Sequence, residues 1–180
     1  PGPLIAPRQR FGRPGSAGAG APAAWSIIAP ITLAAPFVWS IVTPMDRTNQ
    51  RLHRAHQKHQ AGDLREAEAL YRDIVRREPG QAEALKLLGS LCGQTGRWPQ
   101  AAHCLELAIK ADPTNGGASY NLGIVLTELG RYEEAEAAYR QAIQLDPGHA
   151  SASFNRGVTL LHLDRTDDAI TALEHAIALQ

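Results

Sequence analysis

Cysteine is nearly absent from this chain. Cys92 and Cys104 are its whole complement, too few for a disulfide framework and in keeping with a reducing compartment, so a cytoplasmic location is expected. Aromatic residues make up 6% of the sequence, and with alanine abundant that scarcity favours close-packed helices over strands. Neither sign of charge prevails. The 18 basic residues meet 18 acidic ones, which removes the charge argument for nucleic acid or a membrane surface as partner. No glycine loop is shaped to cradle a phosphate, no nucleophile elbow is present, and no paired carboxylates stand in a pocket-forming context. The expectation is a protein that is not an enzyme and uses no cofactor and no metal.

Methionine is scarcer still. Met45 is the only one, and the chain opens on Pro1, so a fragment, a processed product or an over-extended reading frame is expected. Composition changes at the same place. Residues 1–44 are rich in proline, glycine and alanine and carry Arg8, Arg10 and Arg13 without a single acid. Their second half, WSIIAPITLAAPFVWSIVTP, is apolar and long enough for a membrane span. Pro22, Pro30, Pro36 and Pro44 interrupt the uncharged segment between Arg13 and Asp46, and each proline inside a helix costs about 3 kcal/mol in water. Arginines flank it on both sides, so charge gives no orientation. A disordered leader is the preferred reading of 1–44. An anchor at 23–43 and a signal peptide remain as alternatives, and any membrane contact is expected only through 23–43.

After Met45 the chain repeats itself. Glu78-Pro79, Asp112-Pro113 and Asp146-Pro147 stand 34 residues apart, and Gly62, Gly96 and Gly130 keep that interval, with Asp164 where a fourth glycine would fall. Ala67, Ala101, Ala135 and Ala169 form another column. So do Tyr71, Leu105, Tyr139 and Leu173, while Gly89, Gly123 and Gly157 follow Ala55. A fixed period of this length is the signature of stacked supersecondary units. Each unit reads as a helix hairpin, helix A then helix B. In the third, helix A is expected over 117–129 and helix B over 132–145. The glycines close helix A through positive φ, and the prolines stop helix B. Gly123 and Ala135 let the two helices approach, Tyr139 fills the gap beside them, and Ala142 admits the next unit. A lone hairpin cannot bury its apolar face, but stacked neighbours can.

The segments LLGSLC, YNLGIVL and FNRGVTL, with EAEALYRDI, QAAHCLELA, EAEAAYRQA and DAITALEHA, resemble the tetratricopeptide repeat. The resemblance covers residues 48–180 in four units, 48–81, 82–115, 116–149 and 150–180, the last incomplete. It implies an all-α, right-handed α-α superhelix that holds a protein or peptide in its groove. The first unit has Arg54-Ala55 where the family has Leu-Gly, and the fourth stops short of its proline. An uncapped last helix, with Ile170, Leu173 and Ile177 at helical spacing, implies weak self-association and a protein that continues beyond Gln180. The opening from Met45 also looks like the start of bacterial proteins whose repeats form the substrate-recruiting arm of a glycosyltransferase or sulfotransferase.

In this family the inner face of helix A lines the groove. That assigns Lys86 and Ser90 of the second repeat, Tyr120, Asn121 and Ile124 of the third, and Phe154, Asn155 and Val158 of the fourth to peptide binding. Asn121 and Asn155 occupy one place in consecutive repeats, similar to the asparagine ladder in the repeat domain of O-linked N-acetylglucosaminyltransferases. An amide both donates to and accepts from a peptide backbone. His53 and Leu87 interrupt the ladder earlier on. The cation set of a carboxylate clamp is not met, since Lys86 stands alone and Gly117 and Ser151 replace the others. His53, His56 and His59 form a strip on one helix, expected to be a wet groove lining rather than a zinc site. Cys92 and Cys104 are expected as packing thiols.

Overall fold

The computed structural model describes residues 44–179. Among these residues eight helices and no strand are found: α1 (Pro44–Gln60), α2 (Leu64–Arg77), α3 (Ala82–Gln94), α4 (Trp98–Ala111), α5 (Gly116–Glu128), α6 (Tyr132–Leu145), α7 (Ala150–His162) and α8 (Thr166–Ala178). The odd-numbered helices are the A helices and the even-numbered ones the B helices. The leader and its candidate anchor at 23–43 lie outside the described residues. No helix among those described is long and apolar enough to cross a membrane. Helix α1 begins at Pro44, one residue ahead of Met45, and proline suits the first turn because its missing N–H has no partner to lose there. Helix α5 starts and ends one residue earlier than the repeat spacing suggests.

The punctuation is chemical and repeats. Gln81, Asn115 and His149, 34 residues apart, each cap an A helix by accepting the N–H of Ala84, Ala118 or Ala152. Glu78, Asp112 and Asp146 end the B helices ahead of their prolines. Between helices A and B the chain reverses through Gly62, Gly96 and Gly130, at φ +78°, +72° and +71°. Asp164 takes the same turn at φ 57°, one of the few residue types that tolerate the left-handed region.

Packing follows the small-residue columns. Ala67, Ala101, Ala135 and Ala169 are completely buried, as are Ala108 and Ala142 where each B helix meets the next unit. A Cβ added at Gly123 would lie 2.5 Å from the Tyr139 ring, and one at Gly157 would lie 2.7 Å from Leu173. Both glycines are therefore contact surfaces for the B helix. Each hairpin packs against the next, and α1, α3, α5 and α7 also touch in sequence, whereas no two B helices meet. With A helices close and B helices splayed, the stack curves as a superhelix with the A helices inside. Polar ties reinforce it. Within the first repeat the Thr48 hydroxyl donates to Glu78, and between repeats Arg97 forks onto Glu68 and Arg156 reaches the buried Glu136 at 2.8 Å.

Candidate functional site

Three recesses run along the inner face. The first lies between α1 and α3 and is lined by His56, His59, Gln60, Leu87, Ser90 and Gln94. The second, between α3 and α5, shares Ser90 and Gln94 with it and adds Gly93, Trp98, Leu105, Asn121, Ile124 and Val125. The third, between α5 and α7, shares Ile124 and adds Thr127, Glu128, Tyr139, Asn155, Val158 and Thr159. Because neighbouring recesses share walls, they form one continuous groove across all four A helices.

Five of the eight sequence-assigned residues, Ser90, Asn121, Ile124, Asn155 and Val158, lie in this groove. Lys86, Tyr120 and Phe154 line none of the three recesses. Lys86 is paired with Glu83 at 2.7 Å. Tyr120 is half-buried, with its ring 4.5 Å from that of His149 and 6.1 Å from that of Tyr139. Phe154 stands 53% exposed.

The two asparagines are tied to the repeat before them. Asn121 Nδ2 donates to Ser90 Oγ at 2.8 Å, and Ser90 passes its own proton to the Lys86 carbonyl at 3.0 Å. Asn155 Nδ2 donates to the Tyr120 hydroxyl at 3.3 Å. A primary amide has two N–H donors and an acceptor oxygen. Each asparagine thus commits one N–H to its neighbour and holds the rest of the amide in a fixed orientation at the groove.

The histidine strip divides. His56 lines the first recess, while half-buried His59 donates from Nε2 to Gln94 Oε1 at 2.9 Å and faces the Tyr71 hydroxyl with Nδ1 at 3.5 Å. His59 is therefore less wet than its helical position suggests, because Tyr71 packs edge-on beneath it. No cluster of three or more metal-competent His, Cys, Asp or Glu side chains occurs among the described residues. Burial raises the thiols of Cys92 and Cys104 above the usual range, which suppresses the reactive thiolate.

Residues 59, 93, 127 and 161 share one column, which faces the helix B residue at 71, 105, 139 or 173. Where helix B carries tyrosine, helix A answers with a polar group: His59 beneath Tyr71, and Thr127 with Oγ1 3.4 Å from the Tyr139 hydroxyl. Burial pushes both tyrosines up to about 12. The second repeat has Leu105 and Gly93 in those places, a smaller ring-less side chain opposite no side chain at all. The second recess has a volume of about 320 Å³, against about 400 Å³ at the first and about 200 Å³ at the third, where Tyr139 is present. Gly93, Trp98 and Leu105 were not assigned from the sequence. The signal available was the alternation of tyrosine and leucine in a column otherwise read as packing.

The sequence profile described as "Tetratricopeptide repeat" matches residues 54–116, 93–150 and 120–180. Among solved structures, MamA is 23% identical at TM-score 0.70, covering 76% of this chain and 80% of that one. MamA from Desulfovibrio magneticus is 19% identical at TM-score 0.67, covering 73% and 75%. An O-GlcNAc transferase from Thermobaculum terrenum is 32% identical at TM-score 0.61 over 66% of this chain, which spans 23% of that enzyme. A search of curated proteins gave no match.

Proposed function

The chain belongs to the tetratricopeptide repeat family, and from that premise we propose that it is a non-catalytic interaction module, working in the cytoplasm, that holds an extended peptide along its inner face. The observation supporting this reading is the continuous groove, with Asn121 and Asn155 held at its wall by bonds to Ser90 and Tyr120. Their remaining amide groups suit a peptide backbone, and the exposed Phe154 ring on α7 offers apolar surface. Titration of one partner against variants tests it. Replacing both asparagines by alanine removes hydrogen bonds worth about 0.5–1.5 kcal/mol each, and Phe154→Ala lowers affinity by about 2 kcal/mol if it anchors the partner. The variants stay folded, since neither site belongs to the core columns. Undiminished binding by folded variants refutes the groove.

A second reading rests on the likeness to the O-GlcNAc transferase. In it the module recruits substrate for a catalytic domain on the same polypeptide. Sequencing the gene beyond the Gln180 codon decides it: an open frame encoding a transferase supports the reading, and a stop codon rejects it.

Helix α8 adds a further surface. Ile170 and Ile177 are 50% and 71% exposed, and they favour weak pairing with a second copy. Ile170→Lys with Ile177→Lys then shifts the light-scattering mass of the chain to the monomer. An unchanged mass excludes this face.

A further inference from the structure

The second repeat departs from its neighbours at two coupled places. Its helix B carries Leu105 where the first and third repeats carry Tyr71 and Tyr139, and its helix A carries Gly93 where they carry His59 and Thr127. Both changes remove atoms from the same spot. What they leave is an open recess walled by Leu105, Ile124, Val125 and Trp98, floored by Gly93, and rimmed by Ser90, Gln94 and Asn121. Its volume of about 320 Å³ falls within the range of side-chain and small-ligand pockets, and the pattern of apolar walls with a few polar rim groups is that of a specificity pocket.

Formal charge enters the groove on one side of this recess. Glu128 lines the recess on the α7 side, whereas the one on the α1 side is lined by histidines, glutamines, a serine and a leucine. Adjacent packed helices lie about 8–10 Å apart, and an extended chain advances about 3.3 Å per residue. One repeat therefore spans about three residues of an extended ligand.

Taking the groove reading as given, we propose that the recess between α3 and α5 anchors one apolar side chain of the bound peptide, with a basic residue about three positions away over Glu128. The rim serves this arrangement. Asn121, oriented by Ser90, meets the peptide backbone where the anchor enters, and Gln94 is held by His59 at 2.9 Å on the α1 side.

The protein supplies its own control. Gly93→Thr with Leu105→Tyr copies into the second repeat the arrangement that the third already uses at Thr127 and Tyr139. Gly89 leaves the new ring the space that Gly123 leaves Tyr139, since a Cβ at either glycine would meet the facing side chain at 2.7 or 2.5 Å. The double variant fills the recess without touching the asparagines.

The experiment selects random displayed peptides on the full chain and titrates the enriched ones, made synthetically, against wild type, the recess-filled double variant and Asn121→Ala/Asn155→Ala. Enriched peptides are expected to share one apolar residue with a basic residue about three positions from it. They are expected to lose at least tenfold in affinity for the filled variant, with its helicity and melting temperature unchanged. Peptides weakened by the asparagine variant but indifferent to the filled recess overturn the anchor and leave the groove standing. Peptides indifferent to both variants overturn the groove as well. A filled variant that fails to fold is replaced by Gly93→Ala, whose added Cβ lies 3.7 Å from its nearest neighbours and narrows the recess without a clash.

Discussion

Single residues separate packing from recognition in this protein. The glycines look alike in the sequence, yet the structure gives them opposite roles. At Gly123 an added methyl would press into the Tyr139 ring at 2.5 Å, whereas at Gly93 it would sit 3.7 Å from Trp98 and Val125. Gly123→Ala is therefore expected to destabilise by about 1–3 kcal/mol through overpacking. Gly93→Ala is expected to stabilise by up to about 1 kcal/mol, because alanine loses less backbone freedom in a helix. Urea denaturation of the two variants checks the contrast, and equal effects would refute it. The helical period made the Gly123 column visible as small, but not what each glycine faces. Gly123 meets Tyr139, sixteen residues later, whereas Gly93 stands in a column of His, Thr and Leu and faces Trp98 and Val125. The asparagines carry the same lesson. Their shared register was legible, while the commitment of one N–H to Ser90 or Tyr120 required the neighbouring helix to be placed.

At the scale of helices, the starts of the B helices show how a local pair becomes a tie between repeats. Arg131 reaches Glu134 and Arg165 reaches Asp168, each three residues on. In the second repeat that place is Gln100, so Arg97 turns back and forks onto Glu68 of α2, with its two nitrogens at 2.6 and 2.9 Å from the carboxylate oxygens. The Arg97 hydrogen bond holds the Glu68 carboxyl below its ordinary value of 4.5. A lowered folded value means the stabilisation is present above the ordinary value and is lost as pH falls through the folded one. Glu68→Gln is expected to lower stability by about 1 kcal/mol at neutral pH. The difference should close in melts taken below the ordinary carboxylate range. A gap that persists in acid would assign the effect to packing instead. Helix number and position were legible because prolines, positive-φ turns and caps recur at one interval. This cross-repeat pair was not, because it arises where the pattern fails.

For the whole molecule, curvature turns a list of helical positions into a surface. Four A helices in contact and four B helices apart make the inner face a groove, and the family resemblance already implied a superhelix of this kind. The resemblance implied which helix faces inward but not which inward residues stay open. Lys86 is taken up by Glu83, Tyr120 by its aromatic neighbours, and the recess between α3 and α5 lies at residues whose importance comes from what they lack.

The central claim is that recognition occurs on this inner face, and methyl NMR of the full chain tests it most directly. A selected peptide is titrated into protein labelled at isoleucine and valine methyls. The account predicts that Ile124, Val125 and Val158 shift together in a saturable manner, while Ile170 and Ile177 on α8 stay in place. Shifts confined to Ile170 and Ile177, with Ile124 and Val158 unmoved at saturation, would contradict it.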